Sequence, residues 1–152
     1  MNIKLNKGIT LLELTVATAV MIVVLGVVVV GFSGDNSDYR ALANASLTLQ
    51  ADMREAQRLA VMEGRRIGVI FEISQNRYHL VVDNPRTIIR TVNFKDGVRF
   101  ANPTSYTGNS VYYLPRGTAT PGTVELINGN YYRRITTTLS GGQVRLHDII
   151  TY

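Results

Sequence analysis

The chain has 152 residues, a formal net charge of +5 and no cysteine, which excludes disulfides, thiolate metal sites and thiol nucleophiles. With its apolar N-terminal run set aside, roughly 120 residues remain, enough for one small domain but not for two. Arginine appears 13 times and lysine three times, a bias that suits bidentate contact with carboxylate or phosphate and equally suits ordinary ion pairs.

The chain opens with a short leader carrying Lys4 and Lys7 and ending at Gly8. Glu13 follows, and from Leu14 to Gly34 there is no charged residue, a run of 21. Such a run crosses about 30 Å of hydrocarbon as a helix rising about 1.5 Å per residue. Its valines are poor helix formers in water, but in lipid the backbone must bond internally, so a helix is expected. A secretory signal peptide would use Lys4 and Lys7 as its basic start and Ala17-Thr18-Ala19 as its cut site. It would leave Glu13 inside the apolar region and the most apolar stretch, Val20 to Val30, beyond the cut. A plain membrane anchor, with Lys4 and Lys7 kept inside by their charge, accounts for length and orientation. It does not account for Glu13. A carboxylate inside a membrane helix costs about 2.5–3.5 kcal/mol and calls for a partner, a function or a snorkelling path to the interface.

Lys7-Gly8-Ile9-Thr10-Leu11-Leu12-Glu13 resembles the prepilin signature of type IV pilins and type II secretion pseudopilins. The resemblance implies that a prepilin peptidase cuts after Gly8 and that the new Ile9 terminus is methylated. It also implies that Glu13 of one subunit meets the Ile9 amine of its neighbour in a filament. Gly8 and Ile9 are then the processing residues and Glu13 the assembly residue. The family usually has Phe where Ile9 stands. Many members carry a helix-kinking Pro in the apolar segment, where this chain has only Gly26 and Gly31 as soft points. The expected course is a temporary single-pass anchor in membrane lipid, at the bacterial inner membrane, that later becomes a filament core. The C-terminal domain is then periplasmic or extracellular, and the inner-membrane assembly platform is a further partner.

Ser33-Gly34-Asp35-Asn36-Ser37 is a polar break, with Asn36 or Ser37 as a cap for the next helix. From Tyr39 to Glu63 the pattern is helical. Leu42, Leu49 and Ala56 recur every seven residues, and Ala45, Met53 and Ala60 fill the same face. Arg40, Asp52, Arg54, Glu55 and Arg58 form the opposite face, expected to be solvated. Gly64 is the expected stop.

Beyond Gly64 the period changes to two. Strands are expected at 66–73, 77–82, 87–94, 98–100, 111–114, 123–127, 131–139 and 143–147. Ile88 and Val92 are expected to share one face, with Arg90 between them. Lys95-Asp96-Gly97 reads as a hairpin turn, and Asn128-Gly129-Asn130 as the clearest hairpin in the chain. One N-terminal helix followed only by antiparallel strands predicts an α+β architecture. The expected divisions are a leader at 1–8, an apolar helix at 9–32, an amphipathic continuation at 33–63 and a β-rich domain at 64–152.

The C-terminal half resembles the GspH/FimT type of minor pseudopilins, on Tyr113, Pro115, Gly117, Gly122, Leu126, Ile135, Ser140, Gly142, Val144 and Arg145. The family's Gly-Arg-x-Arg close stands here as Gly142-Gln143-Val144-Arg145, with Gln143 in place of the first arginine. The two resemblances together imply a minor pilin or pseudopilin, a structural subunit of a filament in type II secretion or type IV pilus assembly. Its partners are then other pilins or pseudopilins.

No enzyme constellation is present: no phosphate loop, no H-E-x-x-H, no G-x-S-x-G. No cofactor and no metal site is expected, since His79 and His147 are far apart in sequence. His79 is expected to be solvated or hydrogen-bonded on a strand face. Tyr131, Tyr132, Arg133, Arg134, Arg145 and His147 lie on the last two strands, with Arg116 as a possible neighbour. Arginine interleaved with tyrosine suits phosphate contact and base stacking, and equally a solvated strand face. Arg116, Arg133, Arg134 and Arg145 are therefore candidates for binding DNA or another anion, and DNA uptake is the alternative function.

Overall fold

The computed structural model describes residues 11–31 and 35–151, apart from the side chains of 25–31, 35 and 36. The chain divides into two compact units, with the division between Asn36 and Ser37. In the first, α1 spans Leu11–Gly31. Its threonine hydroxyls bond back to the helix itself, Thr15 to the Leu12 carbonyl at 2.8 Å and Thr18 to those of Leu14 and Thr15 at 3.0 and 2.9 Å. A polar side chain that satisfies itself this way is compatible with an apolar surrounding.

The second unit is built on α2, Asp35–Glu63, from Ser37 onward. Asn36 and Ser37 lie inside its first turn rather than ahead of it as caps. Leu42, Leu49, Met53, Ala56 and Ala60 are fully buried, the face expected from their spacing. Burying each of the larger three contributes about 1.5–3 kcal/mol. Gly64, at φ +63°, ends the helix in the left-handed conformation that favours glycine.

Nine strands are present among the described residues: β1 (Ile67–Glu72), β2 (Arg77–Val82), β3 (Thr87–Asn93), β4 (Arg99–Phe100), β5 (Ser110–Tyr113), β6 (Gly122–Asn128), β7 (Tyr131–Thr137), β8 (Val144–Leu146) and β9 (Ile150–Thr151). They form two antiparallel sheets, ordered β3-β2-β1-β5 and β4-β6-β7-β8, with β9 also paired to β7. The inner faces of both sheets and the buried face of α2 share one core, α+β as expected. Phe71 stacks on Tyr106 and meets Phe100 edge-on, which joins β1 to the second sheet.

Two expectations about the strands are corrected. Lys95-Asp96-Gly97 makes a tight turn, with the Val98 amide donating to the Lys95 carbonyl at 3.1 Å, but it is not a hairpin. β3 belongs to the first sheet and β4 to the second, so the turn carries the chain between them. Val98 and Phe100 are drawn into the shared core, and Asn76 fastens the crossover by donating to the Val98 carbonyl at 2.7 Å and accepting from the Phe100 amide at 3.2 Å. The second correction concerns β3. Arg90 pairs with Leu80 and Ile88 with Val81, so Ile89 is an extra residue that bulges the strand. The bulge turns Ile88 to the opposite face from Val92, where it is exposed.

Candidate functional site

Glu13 lies in the first turn of α1 and is exposed. Gly8 and Ile9, its partners in the expected chemistry, lie outside the described residues. The described side chains of α1, Leu11 to Val24, are all exposed, Leu11 to 83% and Leu12 to 73%. Val20 to Val24 alone cover more than one turn of 3.6 residues, so among the described side chains α1 has no polar side. Among the described residues no helix is long and apolar enough to cross a membrane. The apolar sequence run continues past Val24, the last side chain of α1 described.

The arginines proposed from sequence do not form one patch. Tyr131, Arg133, Ile135 and Thr137 of β7 face α2, while Tyr132, Arg134 and Thr136 face outward, as the period of two dictates. Arg133 donates through Nη1 to Ser46 Oγ of α2 at 3.0 Å and through Nε to the His147 carbonyl at 2.8 Å. Burial holds its guanidinium below the ordinary arginine range. Tyr131 packs edge-on against Tyr39 of α2, with centroids 5.5 Å apart. These two residues therefore fasten the sheet to the helix. Arg134, on the outer side, donates to Glu125 at 3.0 Å and to the Tyr132 hydroxyl at 3.2 Å. The hydrogen bond from Tyr132, with Arg134 beside it, holds the Glu125 carboxyl below the usual carboxylate range. Arg145 stands opposite Thr136 in register and is exposed. Arg116 is exposed on the loop closed by the Leu114 amide donating to the Thr118 carbonyl at 2.9 Å.

Sequence reasoning missed a polar lock between α2 and the first sheet. Asp52, expected on the solvated face, is 6% exposed. Tyr78 donates its hydroxyl to Asp52 Oδ2 at 2.6 Å. Arg90 donates to Asp52 Oδ1 at 2.6 Å and to Glu55 at 2.8 Å. Burial, followed by the Asp52 contact, pushes the Tyr78 phenol up, so the phenol remains the donor. The helix position of Asp52 beside Leu49 and Met53 places it on the edge of the apolar face, where a partner was needed. The one usable signal was Arg90, a single charge in the otherwise uncharged strand Thr87–Asn93.

His79 is buried on the outer face of β2. Its Nδ1 lies 2.7 Å from Thr91 Oγ1 and its Nε2 lies 3.4 Å from Glu72, whose other oxygen accepts from Arg77 at 2.6 Å. His147 Nε2 lies 3.1 Å from Thr136 Oγ1. Both rings are thus engaged by the sheet. Among the described residues no group of three or more His, Cys, Asp or Glu could hold a metal ion.

A helix laid on two antiparallel sheets is the fold of pilin-like proteins. It is shared with the minor pseudopilin EpsH from the type 2 secretion system of Vibrio cholerae, at 15% identity and a TM-score of 0.59, over 70% of this chain and 95% of that one. It is also shared with the type IV minor pilin FimU of Pseudomonas aeruginosa PAO1, at 15% identity and a TM-score of 0.59, over 75% and 93%. No curated protein matches the sequence. Residues 45–141, more than half of the chain, match the family model described as Type II transport protein GspH, and the chain belongs to that family. A GspH-family chain with this fold is a structural subunit of a pilus-like filament, of the type II secretion or type IV pilus kind.

Proposed function

We propose that this chain is made as a precursor whose residues 1–8 are a leader removed after Gly8. The segment 9–32 holds it in the inner membrane and then joins the filament core. The amphipathic segment 33–63 and the β-rich domain 64–152 form the part presented outside the membrane. The observation that supports this is the contrast within one chain. A helix apolar on every side, with one carboxylate in its first turn, is joined to a globular unit of the GspH family. An apolar helix of this kind is stable only in lipid or among other helices. In the filament the Glu13 carboxylate pairs with the Ile9 amine of a neighbouring subunit, which offsets the cost of placing a charge there. A prepilin peptidase and an inner-membrane platform are the implied partners, and the role is structural rather than catalytic. Capture of DNA is not carried into this proposal, because Arg133 is spent on Ser46 and His147 and Arg134 on Glu125.

The test is made in the native cells. Gly8→Val protein keeps its precursor mass. Glu13→Ala protein is cut to mature mass but is missing from sheared filaments. A processed Glu13→Ala protein that assembles as well as the wild type removes the amine-pairing step.

A further inference from the structure

His79 stands out among the polar groups that the filament role leaves unused. It is 8% exposed, on the outer face of β2, and its two ring nitrogens meet different partners. Nδ1 lies 2.7 Å from Thr91 Oγ1 on β3, and Nε2 lies 3.4 Å from Glu72 Oε1 on β1. Arg77 donates to the other Glu72 oxygen at 2.6 Å, which fixes the carboxylate and leaves Oε1 for the ring. The bond from Arg77 also holds the Glu72 carboxyl below its ordinary range, so it is ionised at neutral pH. A carboxylate can only accept, so it favours the neutral ring with its hydrogen on Nε2 and a lone pair on Nδ1. The Thr91 hydroxyl is then the donor to Nδ1. A hydroxyl, an imidazole and a carboxylate in series are the elements of an activated nucleophile. They come from three strands, so no local sequence motif announces them.

The surroundings of Thr91 suit attack on a carbonyl. Thr91 is exposed, and β3 is an edge strand of its sheet, so alternate amide N–H groups of β3 point away from the ladder. The bulge at Ile89 disrupts the ladder just before Thr91. Free amides of this kind are the donors that stabilise a developing oxyanion. Ile88, 58% exposed, lies on the same outer face and offers an apolar shelf. A second threonine–histidine pair gives a comparison within the same chain. His147 Nε2 lies 3.1 Å from Thr136 Oγ1, but His147 belongs to no ion pair among the described residues, so no carboxylate sets its tautomer.

We propose that Thr91 is a nucleophilic hydroxyl that takes an acyl group from an activated ester or thioester, with His79 as its general base and Glu72 positioning the ring. The Thr91 oxygen forms a bond to the acyl carbon, and its proton passes to His79 Nδ1. The bond from the acyl carbon to the leaving oxygen or sulfur breaks. Its electron pair departs with that atom, which then takes the proton from His79. The products are an ester on Thr91 and a free alcohol or thiol. The step is a single modification of a structural subunit and needs no turnover.

The test uses the full-length protein in detergent, incubated with p-nitrophenyl acetate, with acetylated peptides quantified by mass spectrometry. Thr91 is expected to acetylate on the order of a hundredfold faster than Thr136, the scale of general-base assistance. This comparison is made in the wild-type chain and depends on no variant. His79→Gln, which keeps a polar side chain but no base, is expected to bring Thr91 down to the Thr136 rate. In His79→Ala, added imidazole should restore the preference for Thr91 over Thr136, which a purely structural ring would not require. Glu72→Gln is expected to slow the label at Thr91, and Glu72→Asp to recover part of it. Thr91→Val should lose the label and Thr91→Ser should keep it. Equal rates at Thr91 and Thr136, an unchanged rate at Thr91 in His79→Gln, or an acetyl group that stays on His79 would each overturn the proposal. The filament role stands apart from all of these outcomes.

Discussion

The two helices solve opposite problems. α1 has exposed apolar side chains on all sides, with hydroxyls bonded to its own backbone. α2 hides one apolar face and adds polar clamps at its flanks: Asp52 to Tyr78 and Arg90, Ser46 to Arg133, and Gln57 to two loops. The lesson is where each helix draws its stability. α2 draws it from tertiary packing within the chain. An apolar helix such as α1 is stable in lipid or among neighbouring helices.

Four measurements sharpen or break that contrast. Leu49→Ala should destabilise the globular unit by about 2–5 kcal/mol in denaturant unfolding, because it opens a cavity in the shared core. Val23→Ala should leave the same unfolding curve within about 0.5 kcal/mol while weakening incorporation into filaments. Equal effects of the two on unfolding would show that α1 is part of the globular core.

Asp52→Ala should cost about 1–3 kcal/mol, since it leaves the buried Tyr78 hydroxyl without its acceptor. Asp52→Asn should recover part of this. A loss below about 0.5 kcal/mol would mean that water serves Tyr78 equally well and that the lock is not a clamp.

The smallest effect is on pH dependence. The hydrogen bond from Arg77 holds the Glu72 carboxyl below its ordinary value of 4.5, and Tyr132 and Arg134 do the same for Glu125. A carboxyl lowered in the folded state contributes stability that is fully present above 4.5 and is lost as pH falls through its lower folded value. The thermal midpoint should therefore drop on acidification below pH 4.5, and Glu125→Gln should flatten the slope. Both pairs are exposed enough that salt should shrink the effect.

Much of the fold was legible because short-range periods are strong signals. The spacing of Leu42, Leu49, Met53 and Ala56 gave the buried side of α2, and Gly64 gave its end. Asn128-Gly129-Asn130 gave the β6–β7 hairpin, whose register runs from Asn128 against Tyr131 to Gly122 against Thr137. The division between Arg133 and Arg134 was also implicit in the two-residue period, yet counting basic residues along the strand hid it. The Lys95–Gly97 turn was read correctly as a reversal and wrongly as a hairpin. A local turn specifies a change of direction but not which sheet receives the next strand.

By itself the sequence determined the uncharged run with its single acid, the amphipathic second helix and the antiparallel character of the strands beyond Gly64. Each depends on residues a few positions apart, so the pattern carries the physics. Only the tertiary structure decided that Asp52 is buried, that Arg133 serves α2 and that Ile88 turns outward. These outcomes depend on which distant groups meet, and the cost of burying a charge or a hydroxyl is set by the partner it finds there.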